Sequence, residues 1–95
     1  MKTIRIILKN HEVRTVRMWR ILTVFGEQFG IHRTPTIGGE SKNSWSVTHI
    51  QTGLVVVENQ PSRNKAEIVT TQVINQYGKE ELTRAIKAQN SFTAI

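Results

Sequence analysis

Apolar and polar positions alternate along the first two thirds of the chain, and the period changes once, near residue 62. In "TIRIILK" (3–9), Ile4, Ile6 and Leu8 fall on one side and Arg5, Ile7 and Lys9 on the other, the period-two signature of a strand. Asn10 and His11 can then turn the chain. The run "EVRTVRMWRILTVF" (12–25) supports two readings. At helical spacing Met18, Ile21, Leu22, Phe25 and Phe29 share a face. Against this, the run is rich in sheet-favouring residues such as Val13, Val16, Trp19, Ile21 and Val24. The following "FGEQFGIHRTP" has a glycine turn at 26–28 and an alternating Phe29, Ile31 run closed by Pro35, which suits strand–turn–strand. A long strand with a bulge near Trp19 reconciles the alternation, because one extra residue flips its phase. A helix here would give the order βαββαα instead.

Residues 35–44, "PTIGGESKNS", carry proline, paired glycines, serine and asparagine, and predict an exposed flexible loop. "WSVTHIQTGLVVVE" (45–58) then reads as two strands around a three-residue turn, with Gly53 in the left-handed conformation and Trp45 and Val47 in the core. The second of these strands is apolar on both faces, which places it centrally in a sheet or beneath a helix. After Pro61 the period becomes helical. Ser62 is a good N-cap, and Ala66, Val69, Val73 and Tyr77 form one stripe flanked by Ile74. Gly78 is the expected stop. "KEELTRAIKA" begins a second, shorter helix that buries Leu82, Ala85 and Ile86, with Glu80 and Arg84 paired on its exposed side. The predicted fold is α+β: a small antiparallel sheet of about four or five strands followed by two C-terminal helices packed on one face. Residues 1–90 form the single domain and 91–95 a frayed tail, on which Phe92 can dock.

Length sets a limit on the chemistry. Ninety-five residues bury only about 60–65% of their unfolded surface, so one thin core is expected and there is little room for an enclosed cleft. No cysteine is present, which excludes disulfides, thiolate metal sites and cysteine nucleophiles. The basic, apolar start lacks an uninterrupted apolar run and is not a signal peptide, and no stretch is long enough to span a membrane. A soluble, cytoplasmic protein without a membrane partner is expected.

Charge changes the picture more than composition does. The net charge is +6, and residues 1–33 hold seven basic side chains against two acidic ones. Nearly the whole surplus therefore lies in the first third, where a local basic face attracts polyanions more strongly than scattered charge. Arg5, Lys9, Arg14, Arg17, Arg20 and Arg33 are the candidate nucleic-acid-binding residues. Guanidinium groups fork onto phosphates, and an exposed indole among them can stack on an unpaired base. The competing reading makes Trp19 a core residue with arginine stems covering the sheet. For Trp19 alone the core is the expectation, as it is for Trp45.

Other chemistries find less support. His32 and His49 fall on strands that could be neighbours, yet zinc needs three or four ligands and His11 sits in a turn. Surface or hydrogen-bonded histidines are expected, with no metal site and no cofactor. No Walker, GxSxG, HExxH or GxGxxG pattern occurs. Thr48 and His49 are adjacent on a strand and so face opposite sides of the sheet. Glu80 and Glu81 point about 100° apart on a helix. No catalytic residue is assigned, and enzyme activity is not expected.

"WSVTHIQTGLVV", followed by a short loop and an alanine-containing helix, resembles small accessory proteins of phages and prophages over residues 29–77. The strand–strand–helix order is also similar to the sheet-reading DNA-binding domains at the front of phage integrases, an analogy of fold that carries no residue roles. The expectation is a stand-alone nucleic-acid-binding accessory protein, with DNA or RNA as partner. The alternative is an interaction module that binds and modulates a host protein. Convergent arginines without an exposed apolar patch favour nucleic acid; an exposed cluster of Trp45, Leu54 or Phe92 favours a protein partner.

Overall fold

The computed structural model describes residues 2–8 and 11–88. Lys9 and the expected tail at 91–95, including Phe92, lie outside the described residues. Five strands, β1 (Thr3–Ile7), β2 (Val13–Val24), β3 (Glu27–Thr36), β4 (Gly39–His49) and β5 (Val55–Gln60), precede one helix, α1 (Arg63–Ala88). Every strand pairs antiparallel with the next, in the order β1-β2-β3-β4-β5. The α+β class is as expected.

Residues 13–24 are strand throughout, and the bulge falls at Trp19. Met18 pairs with His32 and Arg20 with Ile31, leaving Trp19 as the extra residue. The β-branched and aromatic content has outweighed the helical spacing because both neighbouring strands supply partners. A bulge adds bend and twist, and the β1–β2 hairpin folds across the sheet face away from α1. There Ile4, Ile6 and Val16 form a small core with Met18 and Ile50 against it. Gly30 makes room for this contact, since a Cβ at that position would lie 2.5 Å from Met18 Sδ and 2.9 Å from Ile4 Cδ1. The curl carries β1 to the β4–β5 turn, where Ile7 N donates to the Gly53 carbonyl at 2.8 Å.

The larger core lies under α1, which rests chiefly on β5 and β4. Phe29, Ile31, Val47 and Val57 rise from the sheet to meet Ala66, Val69, Val73 and Ile74 from the expected stripe. The doubly apolar β5 is an edge strand buried beneath the helix. Ser62 caps α1 as expected, its hydroxyl accepting from Lys65 N at 3.0 Å.

Three expectations are corrected. The two predicted helices are one helical element, interrupted at Gly78 (φ 76, ψ 163). A single residue in a glycine conformation kinks the path, and the chain resumes helix at once instead of making a loop, so that Leu82 returns to the same core. On that second half Arg84 bonds Glu81 at 2.7 Å, not Glu80. Finally, "PTIGGESKNS" is no loop. Thr36 pairs with Gly39 and Pro35 with Glu40, so β3 and β4 continue into a hairpin that turns on Ile37 and Gly38. Turn-type composition here marks only the tip, while the register set by the buried strand halves extends outward. A shift at Arg33/Pro35 accommodates the proline, which lacks a donor for the ladder.

The β2–β3 turn sits at Phe25–Gly26, one residue before the expected position, with φ of 52° and 79°. Both central residues are left-handed, as a two-residue type I′ hairpin turn requires. Phe25 is exposed there, so its ring offsets little of the strain. Phe25→Asn is expected to stabilise the fold by about 0.5–1 kcal/mol, because asparagine tolerates this conformation. Urea unfolding measures it, and an unchanged or lower midpoint would contradict the turn geometry.

Candidate nucleic-acid interface

The bulge decides where the basic side chains go. Up to Met18, strand alternation puts Arg14 on the face of Ile6 and Val16, and Arg5 and Arg17 on the other. The extra residue then brings Trp19 and Arg20 to the α1 side together with Arg17. Across the ladder, Arg33 on β3 pairs with Trp45 on β4, and Trp45 pairs with Gln60 at the end of β5. Three residues later Arg63 opens α1. Strand bulge, two-strand ladder and helix start thus meet at one corner.

Two indoles form the centre of this corner. Trp19 and Trp45 lie edge to face, their centroids 5.6 Å apart and their planes at 82°. The guanidinium carbon of Arg33 is 5.5 Å from the Trp19 ring and 5.2 Å from the Trp45 ring. That of Arg63 is 5.3 Å and 5.5 Å from the same two rings. Arg17 lies 5.9 Å from Trp19. Each such contact contributes about 0.5–1 kcal/mol at an exposed site, and flat guanidinium groups suit it better than ammonium. Trp45 is buried as expected. Trp19 is not a core residue: it is 40% exposed, because the extra position of a bulge has no partner strand to cover it.

Among the described residues, Arg20 pairs with Glu67 at 3.3 Å and Arg84 with Glu81, and no carboxylate neutralises Arg17, Arg33 or Arg63. The first turn of α1 holds no acidic residue either, so its partial positive charge adds to theirs. The expected basic set is therefore divided. Arg17, Arg20 and Arg33 converge, and Arg5 shares the outward face of the β1–β2 hairpin. Arg14 points away, its guanidinium donating to the Thr36 carbonyl at 2.6 Å and the Gly39 carbonyl at 3.3 Å. Arg63 was not in the sequence-derived set, and its placement depends on how α1 leaves β5.

No family model, curated protein or solved structure matches the chain. Function has to be read from this geometry.

The histidines are built into the fold. His32 and His49 stand on neighbouring strands but on opposite faces, His32 paired with Met18 and Ser46, His49 with Phe29. His32 Nδ1–H donates to the Arg33 carbonyl at 2.9 Å, which fixes Nε2 as acceptor for the Thr48 hydroxyl at 2.7 Å. His49 Nε2 donates to Glu27 Oε1 at 2.7 Å, and its Nδ1 accepts from Thr52 N at 3.3 Å and faces the Thr52 hydroxyl at 2.8 Å. That row of hydroxyl, imidazole and carboxylate has the order of a nucleophilic triad. Here the imidazole is fully buried and the Thr52 oxygen also receives Leu54 N–H; the row ties the β4–β5 turn to β3. Among the described residues no three potential ligands gather as a metal site, and no helix is long and apolar enough to cross a membrane.

Burial of His32 holds its pKa below the usual 6.5, outweighing the Arg33 carbonyl and the Glu40 carboxylate, which act the other way. The unfolded chain therefore binds more protons between the lowered value and 6.5, and stability rises with pH across that window. Stability is complete above about pH 6.5 and falls below it, by up to about 1.4 kcal/mol per pH unit until the folded-state pKa is reached. His32→Gln is expected to flatten this part of the curve. Thermal midpoints of the two proteins across that window check it; parallel curves would refute the assignment.

Proposed function

We propose that this chain is a small nucleic-acid-binding accessory protein that holds phosphates on the corner formed by β2, β3 and the start of α1. One observation carries the reading: Arg33 and Arg63 lie over both indoles and Arg17 over Trp19, and none of the three has an ion-pair partner among the described residues. Converging like charges repel, and a polyanion removes that repulsion while accepting forked hydrogen bonds. Arg17, Arg33 and Arg63 are the central contacts and Arg5 an outer one. Arg20 is partly neutralised by Glu67, and Arg14 serves the β3–β4 hairpin. The rival protein-docking surface finds less support, since Trp45 is buried and Leu54 half-buried.

Affinity for a mixed oligonucleotide is expected to fall steeply with salt. With about four phosphate contacts the slope of log K against log [salt] is about −3 to −4 on duplex and shallower on single strands. Replacing Arg17, Arg33 and Arg63 by Ala is expected to flatten the slope by about one unit per lost contact, with the fold intact by circular dichroism. Replacing Lys79, Arg84 and Lys87 removes equal charge from a surface that Glu80 and Glu81 balance, and is expected to change little. Equal losses in the two triple variants would mean general polycation behaviour. Absence of micromolar binding at low salt would sink the proposal and favour a protein partner.

A further inference from the structure

Resting on that reading, we infer that the target is single-stranded, and that one unpaired base enters an open hollow beside Trp19. Among the described residues the last backbone bond between β1 and β2 runs from Met18 N to the Lys2 carbonyl at 3.0 Å. Beyond it β2 continues through the bulge while β1 has ended. The step leaves a hollow of about 310 Å³ lined by Lys2, Met18, Trp19, Arg20 and Ile21. This is at the small end of the range for ligand pockets, about 300–1,000 Å³.

The lining has the chemistry of a nucleotide. It brings together one aromatic residue, Trp19, two apolar ones, Met18 and Ile21, and two cationic ones, Lys2 and Arg20, the latter shared with Glu67. A flat heterocycle that carries a phosphate satisfies all three, and sulfur against an aromatic ring adds favourable contact. No side-chain amide or carboxylate lines the hollow to read a base edge, so stacking here is tolerant of sequence. A base inside a duplex has both faces covered and reaches such a slot only by being flipped out. A single strand presents its bases at no such cost. Arg17, Arg33 and Arg63, gathered on the same indole, then hold the flanking phosphates. Trp19 thus links a base slot to a phosphate clamp.

The test uses the whole chain and three probes of about eight nucleotides, within the usual single-strand site size: oligothymidylate, an abasic strand of equal charge, and a blunt duplex. Oligothymidylate is expected to bind at least tenfold more tightly than the duplex. It is expected to exceed the abasic strand by about 5- to 150-fold, the effect of one stacked base. Tryptophan emission should be quenched by oligothymidylate in the wild type and not in Trp19→Phe. Trp19→Ala should lose affinity by the same factor with its salt slope unchanged. An oligouridylate arm tests whether a ribose strand is accepted as well, and tighter binding of either strand than of duplex supports the inference. Equal affinity for abasic and normal strands, or for duplex and single strand, overturns it while leaving phosphate binding standing. Binding to none of the probes at low salt overturns the parent reading instead. The abasic comparison needs no variant, so it stands even if Trp19→Ala fails to fold.

Discussion

Phe29→Ala is expected to destabilise the fold by about 3–5 kcal/mol, the usual range for emptying a buried aromatic site. Phe29 is fully buried, stands between Leu22 on β2 and His49 on β4, and its ring lies 5.3 Å from the imidazole. The cavity would open beneath α1, and the surrounding strands are too well paired to collapse into it. Its loss also removes the support that holds His49 toward Glu27, so the clamp on the β4–β5 turn loosens too. Domains of this size have only about 5–15 kcal/mol to lose, and each kilocalorie lowers the melting point by about 4–8 °C. Urea unfolding is expected to show a much lower midpoint with an unchanged slope, the sign of lost stability without a changed unfolded state. A loss below about 1 kcal/mol would place Phe29 outside the core.

Much of this core was legible from periodicity alone. A two-residue period and a 3.6-residue period each expose one buried face, and Phe29, Ile31, Val47, Ala66, Val69 and Val73 all lie where that arithmetic puts them. The bulge at Trp19 was legible for the same reason, since a phase flip between two alternating halves has few physical solutions. What escaped were features set by partners distant in sequence. "PTIGGESKNS" has loop composition, yet it is zipped because the buried halves of β3 and β4 had already fixed the register. Gly78 marked a break correctly as chemistry, but whether the chain loops or merely kinks depends on Leu82 finding the same core. Trp19 looked like a core residue because indoles usually are; its exposure comes from its place as the unpaired residue of the bulge. Arg63 carried no local signal, since its importance lies in the angle at which α1 leaves β5. The basic third was visible as a total, while the face on which each arginine sits needed the bulge to be counted residue by residue.

Gly53→Val is expected to cost about 2–3 kcal/mol, from two causes that a second glycine can separate. Gly53 has φ 76, where a side chain strains the backbone, at about 1–2 kcal/mol for an L-residue. It also supports β1: a Cβ there would sit 3.2 Å from the Arg5 carbonyl oxygen and 3.3 Å from Ile7 Cγ1. Making that room would stretch the bond from Ile7 N to the Gly53 carbonyl, worth about 1 kcal/mol. Gly26 has nearly the same backbone angle, φ 79, with open space around it. Gly26→Val therefore carries the strain alone, at about 1–2 kcal/mol. The difference between the two variants measures how much the docking of β1 against the turn contributes. Equal losses would mean that β1 gains nothing from that contact, and that the curl of the sheet is held by the Ile4–Met18 core instead. Below its melting point Gly53→Val is expected to keep most of its affinity for nucleic acid. Trp19, Trp45, Arg33 and Arg63 are anchored on β2, β4, β3 and α1, and Gly53 meets β4 only at its far end, where its N–H donates to the His49 carbonyl at 2.9 Å. Binding that falls with stability at temperatures where the variant is still folded would show that β1, with Arg5 and Lys2, carries more of the interface than the guanidinium–indole corner does.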